Sequence, residues 1–223
     1  MTLQEAMLAR HSVRQYLEKP IEDEKIQQLK ALIDECNQKG RLHIQLVTNE
    51  PNAFSSGLAK YGNFSGVNNY IAVIGPKSED EKMGYYGEKV VLLAQTLGLN
   101  TCWVGLTYKK QPDKYQILEG ETLICVISLG YGVNQGKAHP QKKGIEHFCH
   151  IDGTMPEWFR QGMEAALLAP TAVNQQKFEF GLKNGNQVTA KTRFALSSYA
   201  KLDLGIVKCH FEIGAGKENF VWA

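Results

Sequence analysis

Arg10, His11, Ser12 and Arg14 set two guanidiniums, an imidazole and a hydroxyl within five residues, where a short amphipathic helix runs out. Guanidinium is permanently charged, and its planar fork of donors matches phosphate oxygens. Ser12 adds a neutral hydrogen bond, and His11 adds a flat ring that packs on another flat group. The set suits a phosphorylated, partly polar ligand. Its alternative reading is a solvated basic helix end, favoured by the helix macrodipole. Far downstream, Ala169 to Phe178 closes a helix and leads into a strand. There Pro170 and the helix end free backbone groups, and the amides of Asn174 and Gln176 both donate and accept. On their own these amides also read as ordinary turn residues. His139, His147, His150 and His210 have no metal-ligand spacing, and Cys102 reads as a small packing residue.

The elements that must carry these groups follow from periodicity and punctuation. Thr2 and Glu5 form a capping box for a first helix with Leu3, Ala6 and Met7 on its apolar face. A second helix after Pro20 carries Ile26, Leu29, Leu32 and Ile33 and stops near Gly40. Leu42, Ile44 and Leu46 alternate with polar residues as a strand. Residues 50–69 read as a long loop, of a kind that is often functional. Tyr70 to Gly75 is a buried strand, and Ser78 with Glu81 caps a helix that ends at Gly98. Leu123 to Leu129 is the central strand. Residues 132–144 form a connector rich in Gly, Lys and Gln that includes Lys142 and Lys143. Thr154 and Glu157 then make a capping box with Pro156 in the first turn. That helix runs to Leu168, strands follow at 178–182 and 187–192, and a last helix carries Leu204, Val207 and Phe211.

The chain has 223 residues, 43% hydrophobic, enough for one large domain or two small ones. Its 25 basic against 23 acidic residues give a net charge of +2, no argument for nucleic acid or an anionic membrane as partner. The five cysteines are widely spaced without a C-x-x-C pair, which suggests neither a disulfide framework nor a zinc site. The N-terminus is acidic and helical rather than a signal peptide, and no apolar run approaches the roughly 20 residues of a membrane span. A cytoplasmic protein is expected.

Together the motifs resemble the nitroreductase family of FMN-dependent oxidoreductases. The family's R-x-S-x-R segment stands here as Arg10, Ser12 and Arg14. Its A-P-S-x-x-N-x-Q-P-W-x-F segment stands as Ala169, Pro170, Thr171, Asn174, Gln176 and Phe178, with Thr171 for Ser and Lys177 for Pro. Leu97 to Gly105 is similar to L-G-L-G-T-C-W-I-G, and Gly130-Tyr131-Gly132 followed by Lys142-Lys143 is similar to G-Y-P and a basic cluster. The resemblance implies an α+β fold, a mixed sheet flanked by helices. It implies bound FMN reduced by NAD(P)H, with nitroaromatics or quinones as small-molecule acceptors. Arg10 and Arg14 would meet the phosphate or the pyrimidine edge, and Ser12 the phosphate or ribityl oxygens, with His11 beside them. Lys142 or Lys143 would meet the phosphate. Pro170, Thr171, Asn174 and Gln176 would contact ring and ribityl, and the backbone of Val104 and Gly105 would lie by flavin N5. The flavin carries the chemistry, so no catalytic side chain is required. A flavin-storage protein, or an enzyme of another flavin reaction on this scaffold, are the alternatives.

The two halves look like a duplication. Helix then strand at 21–47 echoes 156–182, and helix then Trp at 86–103 echoes 204–222. The first unit has no Pro-Ser-x-x-Asn motif, and the second has no Arg-x-Ser-x-Arg. Residues 1–150 would form a first unit and 151–223 a shorter second one, sharing a single FMN site. The chain would be a monomeric pseudo-dimer or assemble further as a homodimer.

Overall fold

The computed structural model describes residues 1–141, 143–194 and 198–223. Helix α1 (Leu3–Ala9) opens on the expected capping box: the Thr2 hydroxyl accepts from the Glu5 N–H, and the Glu5 carboxylate accepts from the Thr2 N–H. Helix α2 (Asp23–Gly40) ends at Arg41 in the left-handed conformation. Strands β1 (Gln45–Val47), β2 (Asn69–Pro76), β3 (Asn100–Val104) and β4 (Glu121–Gly130) form an antiparallel sheet in the order β1-β2-β4-β3. Both faces of this sheet are covered. Ile71 and Val73 of β2 pack with α2 and with α4 (Asp80–Thr96), while Tyr70, Ala72 and Ile74 pack with Phe54, Phe64 and Tyr108. Burial on both sides is why β2 and β4 read as continuous apolar runs.

The second sheet holds β5 (Cys149–Ile151), β6 (Phe178–Lys183), β7 (Gln187–Thr192) and β8 (Val221–Trp222) in that order. Here β6 and β7 are antiparallel, and the outer pairs are parallel. Helices α5 (Glu157–Leu168) and α6 (Ala200–Ala215) cover it, and Phe159, Phe180, Phe211 and Phe220 stack between them. Helix α6 also crosses α4 at backbone contact. A Cβ on Gly205 would lie 1.8 Å from the Glu81 carbonyl oxygen, and one on Gly84 would lie 2.0 Å from that of Leu202. A single hydrophobic cluster therefore runs from α2 and the first sheet through α4 and α6 to the second.

Local differences from the sequence reading have physical causes. Residues 50–69 contain a 3-10 turn (Asn52–Phe54) and helix α3 (Gly57–Tyr61), fastened by the Glu50 carboxylate accepting from the N–H groups of Asn52 and Ala53. Their Gly and Ser content hid the short helices. The capping boxes expected at Ser78 and Thr154 do not form. Glu79 and Pro156 are the N-caps of α4 and α5, without side-chain cap bonds, so Pro156 precedes the first turn rather than occupying it. Strand β1 is shorter than the alternation at 42–46 suggested; Asn37 instead binds the N–H and carbonyl of Ile44. Among the described residues no helix is long and apolar enough to cross a membrane.

Candidate functional site

Residues 10–17 leave α1 as an extended segment stitched to three elements. Val13 N–H donates to Thr101 (3.1 Å), Tyr16 N–H to Ser65 (2.9 Å) and Leu17 N–H to Tyr131 (2.8 Å), while Ser65 N–H donates back to Arg14 (3.1 Å). The Tyr16 hydroxyl donates to the Val13 carbonyl (2.7 Å) and lies 2.8 Å from Ser128 Oγ. Extended backbone alternates its side chains, so residues spaced by two share a face. Val13 turns into the core, 1% exposed, while Arg10, Ser12 and Arg14 line a cleft that His11 also reaches. The R-x-S-x-R spacing is thus a strand spacing and not a basic helix end.

The cleft measures about 1730 Å³, and it brings the motifs together. Arg10, His11, Ser12, Arg14, Val104, Gly105, Lys143, Pro170, Thr171, Asn174 and Gln176 all line it. Lys142 lies outside the described residues. Arg10 is 6% exposed, and its Nε has no hydrogen-bond partner among the described residues. Behind it stands the buried Glu88 carboxylate, 3.8 Å from Arg10 Nε. Glu88 accepts from the Trp103 indole (2.9 Å) and faces His210 Nε2 (2.8 Å), whose other ring nitrogen faces the Ala165 carbonyl (3.1 Å). Arg14 is exposed, its guanidinium 5.9 Å above the Phe64 ring. Burial, then the charges of Arg10 and His139, hold the His11 imidazole below the usual histidine range.

The opposite wall is the stretch after α5. Ala169 is extended, as a residue before proline must be, and ends the helix. The Thr171 hydroxyl accepts from Gln176 N–H (3.0 Å), and the Gln176 amide donates to the Leu167 carbonyl (2.9 Å) and accepts from Gln141 (3.1 Å). Val173, Asn174 and Gln176 have φ of 44°, 54° and 48°. Asparagine tolerates this left-handed region, whereas a β-branched valine there is strained. Such strain persists only where surroundings over-determine it. The Asp203 carboxylate accepts from the Ala172 N–H (3.0 Å), and burial lifts its pKa to about 6. At the cleft floor Tyr199 donates to the Gly105 carbonyl (3.1 Å), and a Cβ on residue 105 would lie 2.5 Å from that hydroxyl. Any side chain at 105 would displace the Tyr199 ring. Tyr61 and Phe194, 86% and 85% exposed, stand as aromatic rings on the lining.

Glu88, His147, Arg193, Asp203 and His210 were not among the residues picked out by sequence as ligand-binding. They lie in no motif, and apart from the His147–Lys143 contact each meets its partners across a long stretch of chain.

A mixed α+β fold of two helix-covered sheets, with an arginine-bearing cleft, is the architecture of the nitroreductase fold. The family model described as "Putative TM nitroreductase" matches residues 2–215, and the chain belongs to that family. Its fold is similar to that of a putative nitroreductase from Thermotoga maritima MSB8, at 21% identity and a TM-score of 0.64, over 98% of this chain and 85% of that one. It is also similar to a putative NADH dehydrogenase/NAD(P)H nitroreductase from Parabacteroides distasonis ATCC 8503, at 21% identity and a TM-score of 0.50, over 66% of this chain and 96% of that one. A nitroreductase with bound FMN from Bacteroides fragilis NCTC 9343 aligns with 65% of this chain and 95% of its own, at 18% identity and a TM-score of 0.46. None of the curated proteins compared with the chain matches it.

Proposed function

We propose that the protein is an FMN-dependent oxidoreductase, in which NAD(P)H reduces the flavin and a small nitroaromatic or quinone-type acceptor reoxidises it. The observation that carries this reading is Arg10: a guanidinium 6% exposed, lining a large cleft, with its Nε in no hydrogen bond among the described residues and the Glu88 carboxylate 3.8 Å away. A buried donor without an acceptor is costly unless a ligand supplies one. A monophosphate fits that donor set, with Ser12 and Lys143 lining the same cleft. Bound FMN would supply the hydride chemistry. The chain's own residues bind and orient. Arg10, Ser12 and Lys142 or Lys143 hold the phosphate, and Arg14 the phosphate or the pyrimidine edge. Pro170, Thr171, Asn174 and Gln176 support ring and ribityl, and Val104 and Gly105 present backbone to the reacting edge. Tyr61, Leu106 and Phe194 offer the apolar lining that a flat acceptor needs.

We further infer one site per chain, with walls from residues 1–150 and from 151–223, so that a monomer binds flavin and any homodimer is an addition. The division of the strands into two sheets at residues 130 and 149 supports this reading. The purified protein should be yellow, release FMN rather than FAD, and bleach with NADH or NADPH. A colourless protein that takes up no FMN refutes the cofactor. A yellow protein that neither nucleotide bleaches is a flavin-binding protein and not a reductase.

A further inference from the structure

Two cations converge on one imidazole, and the charge of a third acts on it. Lys143 Nζ and Arg193 Nη1 each lie 2.9 Å from His147 Nε2. Neither an ammonium nor a guanidinium can accept a hydrogen bond, so Nε2 is the acceptor in both and the ring proton sits on Nδ1. One lone pair serves two cations. Lys177 is the third: after burial, the charges of Lys143, Arg193 and Lys177 hold His147 below the usual histidine range. Among the described residues the only carboxylate within ion-pair distance of these cations is Glu179, 3.9 Å from Arg193 Nε. Glu179 already takes Lys191 at 2.8 Å and His150 at 3.4 Å. Lys143, His147, Lys177 and Arg193 all line the cleft.

We propose that Lys143, His147 and Arg193, with Lys177 beside them, form a subsite for a phosphate monoester. Three cations whose one carboxylate neighbour, Glu179, is shared with Lys191 and His150 are matched by a dianion better than by a single carboxylate. Displacing the shared imidazole contact would let Arg193 and Lys143 turn their full donor sets to phosphate oxygens. Lys177, where the resembling family has Pro, makes the third charge a feature of this chain. The occupant is the phosphate of the flavin mononucleotide or the 2′-phosphate of NADPH; naming these two rests on the function proposed above, whereas the subsite does not.

The test compares the full chain with Arg193→Gln, using the exposed Lys183→Gln as control and Lys177→Gln, at an exposed position, as the second variant should Arg193→Gln fail to fold. Loss of FMN affinity by about tenfold or more with riboflavin affinity kept assigns the flavin phosphate. An equal rise in KM for NADPH, with NADH and both flavins unaffected, assigns the donor. Parallel changes for both members of each pair, or no change, overturn the subsite. Should the wild-type chain bind no flavin, the proposed function fails, and inorganic phosphate then decides the subsite. Phosphate should raise the titration midpoint of the His147 imidazole resonances in the wild type and not in Arg193→Gln. An unmoved midpoint overturns it.

Discussion

Arg10 and Arg14 share a motif but not an environment, and their consequences should differ. Arg10 is buried beside Glu88, while Arg14 is exposed to water that screens it. Arg10→Met is expected to weaken FMN binding by about 1.5–3 kcal/mol with little effect on riboflavin. Arg14→Ala should do less. Titration of intrinsic flavin fluorescence measures both, and equal losses for FMN and riboflavin would show that Arg10 does not hold the phosphate. Asp203 gives a pH signature. Burial raises its pKa from 3.8 to about 6 against the opposing pull of the Ala172 N–H. A raised native pKa means that the folded state binds the proton more tightly than the unfolded one. The stability this contributes is full below about pH 4 and is lost as pH rises through about 6. The loss is at most about 3 kcal/mol, since each pKa unit is worth about 1.4 kcal/mol. Asp203→Asn keeps an acceptor for Ala172 and should flatten the denaturation midpoint between pH 4 and 7. An unchanged pH profile in that variant would remove Asp203 as its source.

At the scale of elements, the site depends on two stretches that belong to neither helix nor sheet. Residues 10–17 are held extended by bonds to β3, to Ser65 and to the chain after β4, and this sets the alternation of Arg10, Ser12 and Arg14. Residues 171–176 are held by Asp203 on α6 and by Gln176 bonding back to α5. Both therefore depend on where α4, α5 and α6 sit. The crossing of α4 and α6 at Gly84 and Gly205 is the tightest of these constraints, because backbone meets backbone there. Gly205→Ala should separate the helices, destabilising the fold by about 3 kcal/mol, at the upper end for overpacking. It should also weaken flavin binding, since α4 carries Glu88 and α6 carries Asp203. Thermal unfolding and flavin titration of the variant check this. A stable, fully binding Gly205→Ala protein would show that the crossing relaxes without cost.

Considered whole, the molecule joins its two sheets through one hydrophobic cluster rather than through a polar seam. That cluster includes Val90, Val91 and Ala94 of α4 together with Val207 and Phe211 of α6. Truncation after residue 150 would expose the α4 face and remove the wall at 170–176. The fragment is expected to bind no flavin and to unfold without a cooperative transition. In the full chain, light-scattering mass combined with flavin absorbance should give one FMN per chain. Two per chain, or a site straddling two chains, would refute the shared-site arrangement.

Sequence alone determined what depends on local chemistry and short periods. The Thr2–Glu5 box, the apolar runs within β2 and β4, the helix stop at Pro170 and the family motifs are written in neighbouring residues, since their causes act over a few positions. The motif residues could be named because they match the motifs of the nitroreductase family, although residues 10–14 read as a helix end. Tertiary structure decided what depends on residues far apart in the chain meeting. It packed Glu88 of α4 against His210 of α6 beneath Arg10, lifted Asp203 by burial, and drew Arg193 to His147. No local pattern encodes these contacts, because each partner is an ordinary helix, strand or loop residue until the two sheets close on the same core. Burial and charge proximity, the quantities that tune a binding site, exist only after that closure.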